Sequence, residues 1–266
     1  MLKVSKLNLI NLIMMSFIMF LFSYKNLYAD MTMSSLGTLT GGSYSYAYGI
    51  SRDGSTIVGE SASTDGVRAF KYDDTNGMSS LGILSGGTYS VAYGVSNDGS
   101  VIVGYGNSTN GLVRAYKYDT TNGITSLGVL EGGVASVAFG VSGDGSIISG
   151  WSQSTNGTRA FKYTNNTMTS LGTLTGGTYS NSYGISGDGT AIVGRSDSTD
   201  GVKAFKYVDD TMTSLGVLSG GSSSEARGAS YNGSVIVGSS GSTNGTRAFK
   251  YTNNTMTSLG VLSGGS

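Results

Sequence analysis

Bulky and small side chains alternate along the chain from residue 33 onward. In Tyr44–Ser51, Tyr44, Tyr46, Tyr48 and Ile50 are interleaved with Ser45, Ala47 and Gly49, the period-two signature of a strand with one large and one small face. Met33–Leu39, Ser55–Ser61 and Val67–Asp73 read as three more short strands. The last carries Arg68, Phe70 and Tyr72 on one face and Ala69 and Lys71 on the other. Gly41–Gly42, Asp53–Gly54 and Asp65–Gly66 separate these runs, and Asn76–Gly77 closes the block. Asp-Gly and Asn-Gly predict type I′ hairpin turns, in which both central residues take positive φ. Beyond residue 29 no segment sustains the apolar spacing of a helix.

The block is written five times. Ser-Leu-Gly recurs with its leucine at Leu36, Leu81, Leu127, Leu171, Leu215 and Leu259, at spacings of 45, 46, 44, 44 and 44 residues. Each copy continues, with few departures, through Gly-Gly, an aromatic before Gly, Asp-Gly-Ser, Ile-Val-Gly, a Thr-Asp/Asn-Gly turn and Arg-Ala-Phe-Lys-Tyr. The units span about 33–77, 78–123, 124–167, 168–211 and 212–255, with a partial sixth over 256–266. Length differences fall in turns. Unit two has an extra residue at Leu112–Val113, and from unit three on the segment after Lys-Tyr is one residue shorter. A four-stranded sheet this small cannot bury its faces alone, and stacking copies does so. Four strands in 44–46 residues predict an all-β, β-propeller-like array of about five repeats. A β-solenoid is the alternative. The ring is either closed by the spare strand Met256–Leu262 or left incomplete within a sixth unit.

The first 29 residues differ in kind. Lys3 and Lys6 precede an apolar run, Leu7–Phe22, and a polar stretch ends at Leu27-Tyr28-Ala29. This is the pattern of a cleaved signal peptide with an apolar helix, too short for a bilayer span of roughly 20 residues. Cleavage after Ala29 leaves a domain of residues 30–266 with 13 basic and 16 acidic residues, a formal charge of −3. The expected location is secreted or cell-surface, with no membrane span in the mature chain. The absence of Cys, His and Pro removes Ser-His-Asp and Cys-His nucleophiles, Cys/His zinc sites and disulfides. Without a basic surplus, nucleic acid is not an expected partner. No cofactor or metal is expected.

The order Leu-Gly-x-Leu-x-Gly-Gly, an aromatic before Gly, Asp-Gly, Ile-Val-Gly and Ala-Phe, repeated over residues 33–266, resembles the bacterial "extracellular repeat, HAF" family. That family takes its name from a His-Ala-Phe triplet. Here Arg68, Arg114, Arg159, Lys203 and Arg247 stand at the histidine, and Tyr116 once replaces the Phe. The resemblance implies an exported propeller, often the passenger of an autotransporter. That arrangement requires an outer-membrane barrel, which would lie beyond Ser266 or have been lost.

Candidate chemistry is sparse. Asp53, Asp98, Asp144 and Asp188 sit singly in Ser-x-Asp-Gly turns, with Asn232 in unit five. They read as turn-capping groups rather than as calcium ligands, which cluster. The Arg68 column is expected to stack on neighbouring aromatics. Lys71, Lys117, Lys162, Lys206 and Lys250 are expected on exposed outer strands. The three glutamates, Glu60, Glu131 and Glu225, occupy unrelated repeat positions, so no glycosidase pair is evident. The units differ most after Ile-Val-Gly, where Glu60, Tyr105, Trp151, Arg195 and Ser239 stand, and at Tyr46, Val91, Val137, Asn181 and Glu225. Glu60, Tyr105, Trp151 and Arg195 are the candidate ligand-binding residues of a non-enzymatic binding scaffold. Its partner is an unknown extracellular one: a glycan, a host protein or an envelope component. The alternatives are a propeller-fold glycosidase or lyase and a purely structural spacer. The oligomeric state is left open.

Overall fold

A computed structural model describes residues 33–262. The expected signal peptide over residues 1–29 lies outside the described residues. Met33–Leu36 carries no strand. From Gly37 onward the described chain forms twenty strands in five antiparallel four-stranded sheets. Sheet 1 holds β1 (Ser45–Ile50), β2 (Ile57–Ser61), β3 (Arg68–Asp73) and β4 (Gly77–Gly82). Sheet 2 holds β5 (Ser90–Val95), β6 (Ile102–Asn107), β7 (Val113–Asp119) and β8 (Gly123–Gly128). Sheet 3 holds β9 (Ser136–Val141), β10 (Ile148–Ser154), β11 (Gly157–Thr164) and β12 (Thr167–Ser170). Sheet 4 holds β13 (Ser180–Ile185), β14 (Ile192–Ser196), β15 (Lys203–Val208) and β16 (Thr211–Gly216). Sheet 5 holds β17 (Ser224–Ala229), β18 (Ile236–Ser240), β19 (Arg247–Thr252) and β20 (Thr255–Ser258). Every sheet is a meander in chain order. Successive first strands β1, β5, β9, β13 and β17 adjoin one another around an axis, which gives the propeller-like arrangement that the repeat predicts.

The sheets are out of phase with the sequence blocks. Ser-Leu-Gly, expected to open each unit as at Met33–Leu39, instead closes each sheet as its outermost strand. Tight turns after Lys-Tyr fold it back against the third strand. The following Gly-Gly segment then carries the chain back to the axis, to the first strand of the next sheet.

Turn chemistry also differs. At Asp53–Gly54 only Gly54 has positive φ, +78°, in a turn closed by the Gly54 amide donating to Ser51 O at 3.0 Å. The paired positive φ of a two-residue hairpin appears instead at Asn165–Asn166, Asp209–Asp210 and Asn253–Asn254. These are the units that are one residue shorter after Lys-Tyr, so the shortening marks a change of turn type.

The core is assembled at the seams between sheets. Val58 and Ala69 of sheet 1 cluster with Leu81, Leu84, Ala92, Ile102 and Tyr116. Three equivalent clusters follow along the array. Inside each sheet the Ile-Val-Gly glycine pairs directly with the buried aromatic: Gly59 with Phe70, Gly104 with Tyr116, Gly150 with Phe161, Gly194 with Phe205 and Gly238 with Phe249. All five rings are fully buried. The hydroxyl that Tyr116 adds donates to Val91 O at 3.0 Å.

A polar seam runs beside the apolar one. A register shift between Ala69 and Phe70 frees the Ala69 amide, which donates to Ser90 Oγ of the next sheet at 3.0 Å. Ala115, Ala160 and Ala204 do the same to Ser136, Ser180 and Ser224. Arg68 also crosses the seam, donating to Thr88 O at 2.7 Å and to its own strand's Val67 O at 3.0 Å. Arg114, Arg159 and Lys203 repeat this. The basic column thus binds backbone carbonyls rather than stacking on rings. The Lys71 column lies on third strands, inside the sheets, and Lys206 Nζ donates to Gly233 O at 3.0 Å. It does not guard the outer edges.

These contacts separate two kinds of glycine. A Cβ on Gly54 meets nothing within 4 Å, so the positive φ is its only cost. A Cβ on Gly150 would lie 2.0 Å from Val137 O, a fixed backbone atom. Chemical denaturation should find Gly54→Ala destabilised by about 1 kcal/mol and Gly150→Ala by about 3 kcal/mol or more. Equal effects would contradict the close packing inside the sheet.

Candidate binding surface around the axis

Each first strand carries a bulge at the same place, between Ala47 and Gly49 in sheet 1 and at the equivalent positions of the other four. Tyr44, Tyr46 and Tyr48 share the one face expected of them, with successive ring centroids 5.4 and 6.5 Å apart. The bulge puts Ile50, which pairs with Ile57, out of step with them. Tyr48, Tyr93, Phe139 and Tyr183 form a continuous chain of ring contacts at centroid distances of 5.1, 5.1 and 5.8 Å. Arg227 completes the series with its guanidinium 4.4 Å over the Tyr183 ring. Sequence reasoning noted this position only as an aromatic before Gly. The signal was that glycine: a Cβ on Gly49 would lie 2.6 Å from Tyr93 O, so the aromatic is followed by the close approach of the next sheet.

The two variable columns are cross-strand partners. Tyr46 pairs with Glu60, Val91 with Tyr105, Val137 with Trp151, Asn181 with Arg195 and Glu225 with Ser239. Glu60, Tyr105, Trp151 and Arg195 thus take one register position on successive second strands, and all four are half-buried. The structure joins them into two groups. Glu60 Oε1 accepts from Tyr48 Oη at 3.1 Å, and Tyr105 stacks on Tyr93 at 5.8 Å and meets Tyr89 edge-on at 6.0 Å. Burial, reinforced by Glu60, pushes the Tyr48 hydroxyl up to about 12. Burial and the neighbouring tyrosines do the same for Tyr105. Both therefore remain neutral donors.

The second group is charged. Arg195 donates to Tyr179 Oη at 3.1 Å and pairs with Glu225 at 3.4 Å. Arg227 pairs with the same carboxylate at 2.6 Å, and Ser239 Oγ donates to it at 3.4 Å. Burial alone would ease the proton off Arg195, but the Tyr179 hydroxyl and Glu225 outweigh it and hold the guanidinium more firmly charged. Arg195 Nε and Asn181 Oδ1, on paired residues, are buried without a partner. A cleft of about 310 Å³ opens beside Arg195, Glu225 and Ser239. Trp151 sits between the groups and touches neither through a ring contact. Arg227 was missed in the sequence because its column is otherwise aromatic. Glu131 lies away from the axis, in the segment leading into sheet 3, where its carbonyl accepts from the Thr155 amide.

The opposite end of the axis is built from the Ser-x-Asp-Gly turns. In sheet 1, Asp53 Oδ1 accepts from Ser51 Oγ at 2.7 Å, from the Ser55 amide at 3.0 Å and from Ser55 Oγ at 2.8 Å. The same set recurs at Asp98, Asp144 and Asp188, and at Asn232 through its amide oxygen. These carboxylates are spent on their own turns, as the sequence led us to expect. Among the described residues no three acidic side chains converge in a way that would hold a metal ion. Neighbouring turns are tied by Asn97 N–H to Gly143 O, Gly143 N–H to Gly187 O and Asp188 N–H to Tyr231 O, at 2.9, 2.8 and 2.8 Å.

No family model matches the sequence, and no curated protein does. Solved propellers are similar in fold. A putative TolB from Agrobacterium tumefaciens superposes with a TM-score of 0.58 at 15% identity, over 83% of this chain and 82% of that one. TolB from Acinetobacter baumannii gives 0.55 at 18% identity over 79% of this chain, and the chain spans about half of that protein, 52%. An oligogalacturonate lyase from Vibrio parahaemolyticus gives 0.54 at 11% identity, over 88% of this chain and 70% of that one. At these identities the likeness is one of fold. Among the described residues no helix is long and apolar enough to cross a membrane.

The turns have a pH signature. Hydrogen bonds from the Ser51 hydroxyl and from Ser55 lower Asp53 to about 2, and Ser96 and Ser100 do so for Asp98. A carboxyl depressed in the folded state contributes stability that is complete above its unfolded pKa of roughly 4 and is lost as pH falls toward the folded value. The urea midpoint should therefore decline between about pH 4 and pH 2. Asn232 makes the same contacts without titrating, so Asp53→Asn should flatten that decline and leave the neutral midpoint nearly unchanged. A slope that ignores the substitution would show that the turn hydrogen bonds do not set the acid response.

Proposed function

We propose that this chain is an exported, non-enzymatic binding module that takes its ligand at the axial mouth around Glu60, Tyr105, Trp151 and Arg195. The observation that carries this reading is the pairing of the two variable columns. In a scaffold otherwise repeated nearly residue for residue, the positions that differ most between units are cross-strand partners around one axis. A rigid sheet presenting aromatic faces beside a carboxylate and two guanidinium groups suits a ligand with a flat apolar face and hydroxyl or carboxyl groups at its edge. A glycan fits that description, and a polar loop of a host protein or envelope component presents related chemistry.

Export is supported by the leader pattern over residues 1–29 and by the resemblance to HAF-type surface repeats. The same resemblance favours a surface or passenger-like setting. One second reading has an observation behind it. The Arg195–Tyr179 hydrogen bond at 3.1 Å sets a cation that would neutralise a uronate carboxylate beside a phenol, as a polysaccharide lyase requires, and an oligogalacturonate lyase shares the fold.

Glycan arrays, envelope fractions and host-cell extracts are the probes. Binding should fall roughly tenfold or more in Trp151→Ala and in Arg195→Ala, with melting temperatures little changed because both side chains are half-exposed. Binding indifferent to both substitutions would remove the axial mouth as the site. Turnover of oligogalacturonate by the purified protein would replace the binding module with the lyase.

A further inference from the structure

The tyrosines at the axial mouth gather on one side of it. Tyr44, Tyr46, Tyr48, Tyr89, Tyr93 and Tyr105, on or next to the first two strands of sheets 1 and 2, form one unbroken set of ring contacts. Tyr48 meets Tyr93 at 5.1 Å with the ring planes tilted by 43°, so their faces form a corner rather than a flat stack. Tyr105 lies nearly parallel to Tyr93, at 5.8 Å and 19°. One carboxylate is set among these rings. Glu60 is the cross-strand partner of Tyr46 and accepts from Tyr48 Oη at 3.1 Å. Burial above all, and the Glu60 charge with it, pushes the Tyr93 and Tyr105 hydroxyls up, so the carboxylate lies within electrostatic reach of both.

This carboxylate has no cation. The ion pairs among the described residues join Lys117 to Asp119, and Arg195 and Arg227 to Glu225. No cation of the chain lies over the six rings either, because the contacts of that kind fall on Tyr179, Tyr183 and Tyr231. Sheets 4 and 5 show what completes such a set. There Glu225 stands beside the axial rings and the chain supplies the cations itself. Arg227 sits 4.4 Å over Tyr183 and pairs with Glu225 at 2.6 Å. Arg195 lies 5.6 Å over Tyr179 and shares the same carboxylate at 3.4 Å. Tyr48 and Arg227 occupy the same place beside the bulge of their first strands, and Glu60 and Arg195 the same register position on their second strands. Sheets 1 and 2 therefore present the rings and the carboxylate and lack the cation.

We propose that the tyrosines around Glu60 bind an organic cation, a trimethylammonium group of the kind carried by choline and its esters. The proposal rests on the axial mouth being a binding site and adds the ligand chemistry of its sheet 1 and sheet 2 side. Aromatic faces attract a cation, and quaternary ammonium groups suit them because the charge is spread over a weakly hydrated surface that also makes apolar contact. A divalent metal ion does not fit. It demands several oxygen ligands, and no group of three acidic side chains among the described residues could hold one. A primary ammonium is strongly hydrated and seeks acceptors, whereas this set offers mainly ring faces. Tyr48 is 45% exposed and Glu60 is half-buried, so a ligand can reach the corner without displacing the core.

Calorimetry and saturation-transfer NMR on the full chain test this with choline chloride and with neohexanol, its uncharged isostere. Choline should bind in roughly the millimolar range, and neohexanol about tenfold more weakly or worse. Glu60→Gln and Tyr48→Leu should each weaken choline binding roughly fivefold, with little change in melting temperature. Tyr48→Phe keeps the ring face and should bind choline more tightly than Tyr48→Leu. Flotation with phosphatidylcholine vesicles, against phosphatidylglycerol vesicles, tells the sources apart. Retention that excess choline competes away assigns the group to a membrane headgroup, and choline binding without retention assigns it to a soluble or glycan-borne ester. Absence of choline binding, equal binding of neohexanol, or binding indifferent to both Glu60→Gln and Tyr48→Leu would overturn the proposal. Glycan binding that depends on Trp151 and Arg195 while choline fails to bind would overturn this inference alone and leave the binding module standing.

Discussion

Everything in this molecule depends on how closely one sheet can lie on the next, and that distance is set by a glycine opposite an aromatic ring. Where Gly59 faces Phe70, the ring occupies the space a side chain would fill, and the first strand's carbonyl comes within 1.9 Å of the position a Cβ would take. The sheet is therefore thin at its centre. A thin sheet lets Val58 and Ala69 bury completely against the small side chains of the next first strand. That burial supplies the hydrophobic driving force that no single sheet of five- and six-residue strands generates alone. The seam hydrogen bonds from Ala69 to Ser90 and from Arg68 to Thr88 follow from the same approach. The first satisfies the Ala69 amide, which the register shift between the third and fourth strands would otherwise leave buried and unpaired.

Much of this was legible because the chain states it five times. Strand identity, the position of glycine and the length of the unit are properties of local pattern, and local pattern survives repetition. What could not be read was whichever feature depends on a hydrogen bond between distant residues. Ser-Leu-Gly has the same sequence whether it opens one sheet or closes the previous one, and only its antiparallel pairing with Arg-Ala-Phe-Lys-Tyr decides. Asp53–Gly54 has the composition of a type I′ turn. The Asp53 carboxylate instead accepts from Ser51 and Ser55, which holds a longer loop with positive φ at the glycine alone. Counting placed Tyr48 on the face of Tyr44 and Tyr46, where its ring lies, but it could not show that Ile50 falls out of step at the bulge. The variable columns, by contrast, were visible as columns, and the fold added that they are partners.

The axial mouth carries its charges in an economical way. Glu225 is shared by Arg195, Arg227 and Ser239, and Glu60 is shared with a tyrosine hydroxyl. Taking a carboxylate as far out of water as Glu225 costs desolvation that its ion pairs offset only in part, so their placement is not explained by folding alone. Arg195 Nε and Asn181 Oδ1 remain without partners in the same cluster, and a buried donor or acceptor left unmade costs free energy. A ligand presenting a hydroxyl or carboxylate at that point would recover it. The Asp53-type turns at the other end show the contrast, because there every carboxylate is consumed by its own loop.

The axial mouth is built on first and second strands, the two that carry the variable pairs. Ser239 and Glu225, at one edge of the variable series, stand on β18 and β17, and Tyr46 and Glu60, at the other edge, stand on β1 and β2. Sheet 5 lacks a covering neighbour, and Val237 and Ala248 are bare on it, so local opening should cost least there. A ligand spanning Glu60 and Ser239 would bind only the arrangement that holds both edges in place. By mass action it would then stabilise that arrangement, and the arrangement would in turn raise its affinity by the same factor. In this architecture the recognition of a ligand and the ordering of sheet 5 are two readings of a single equilibrium.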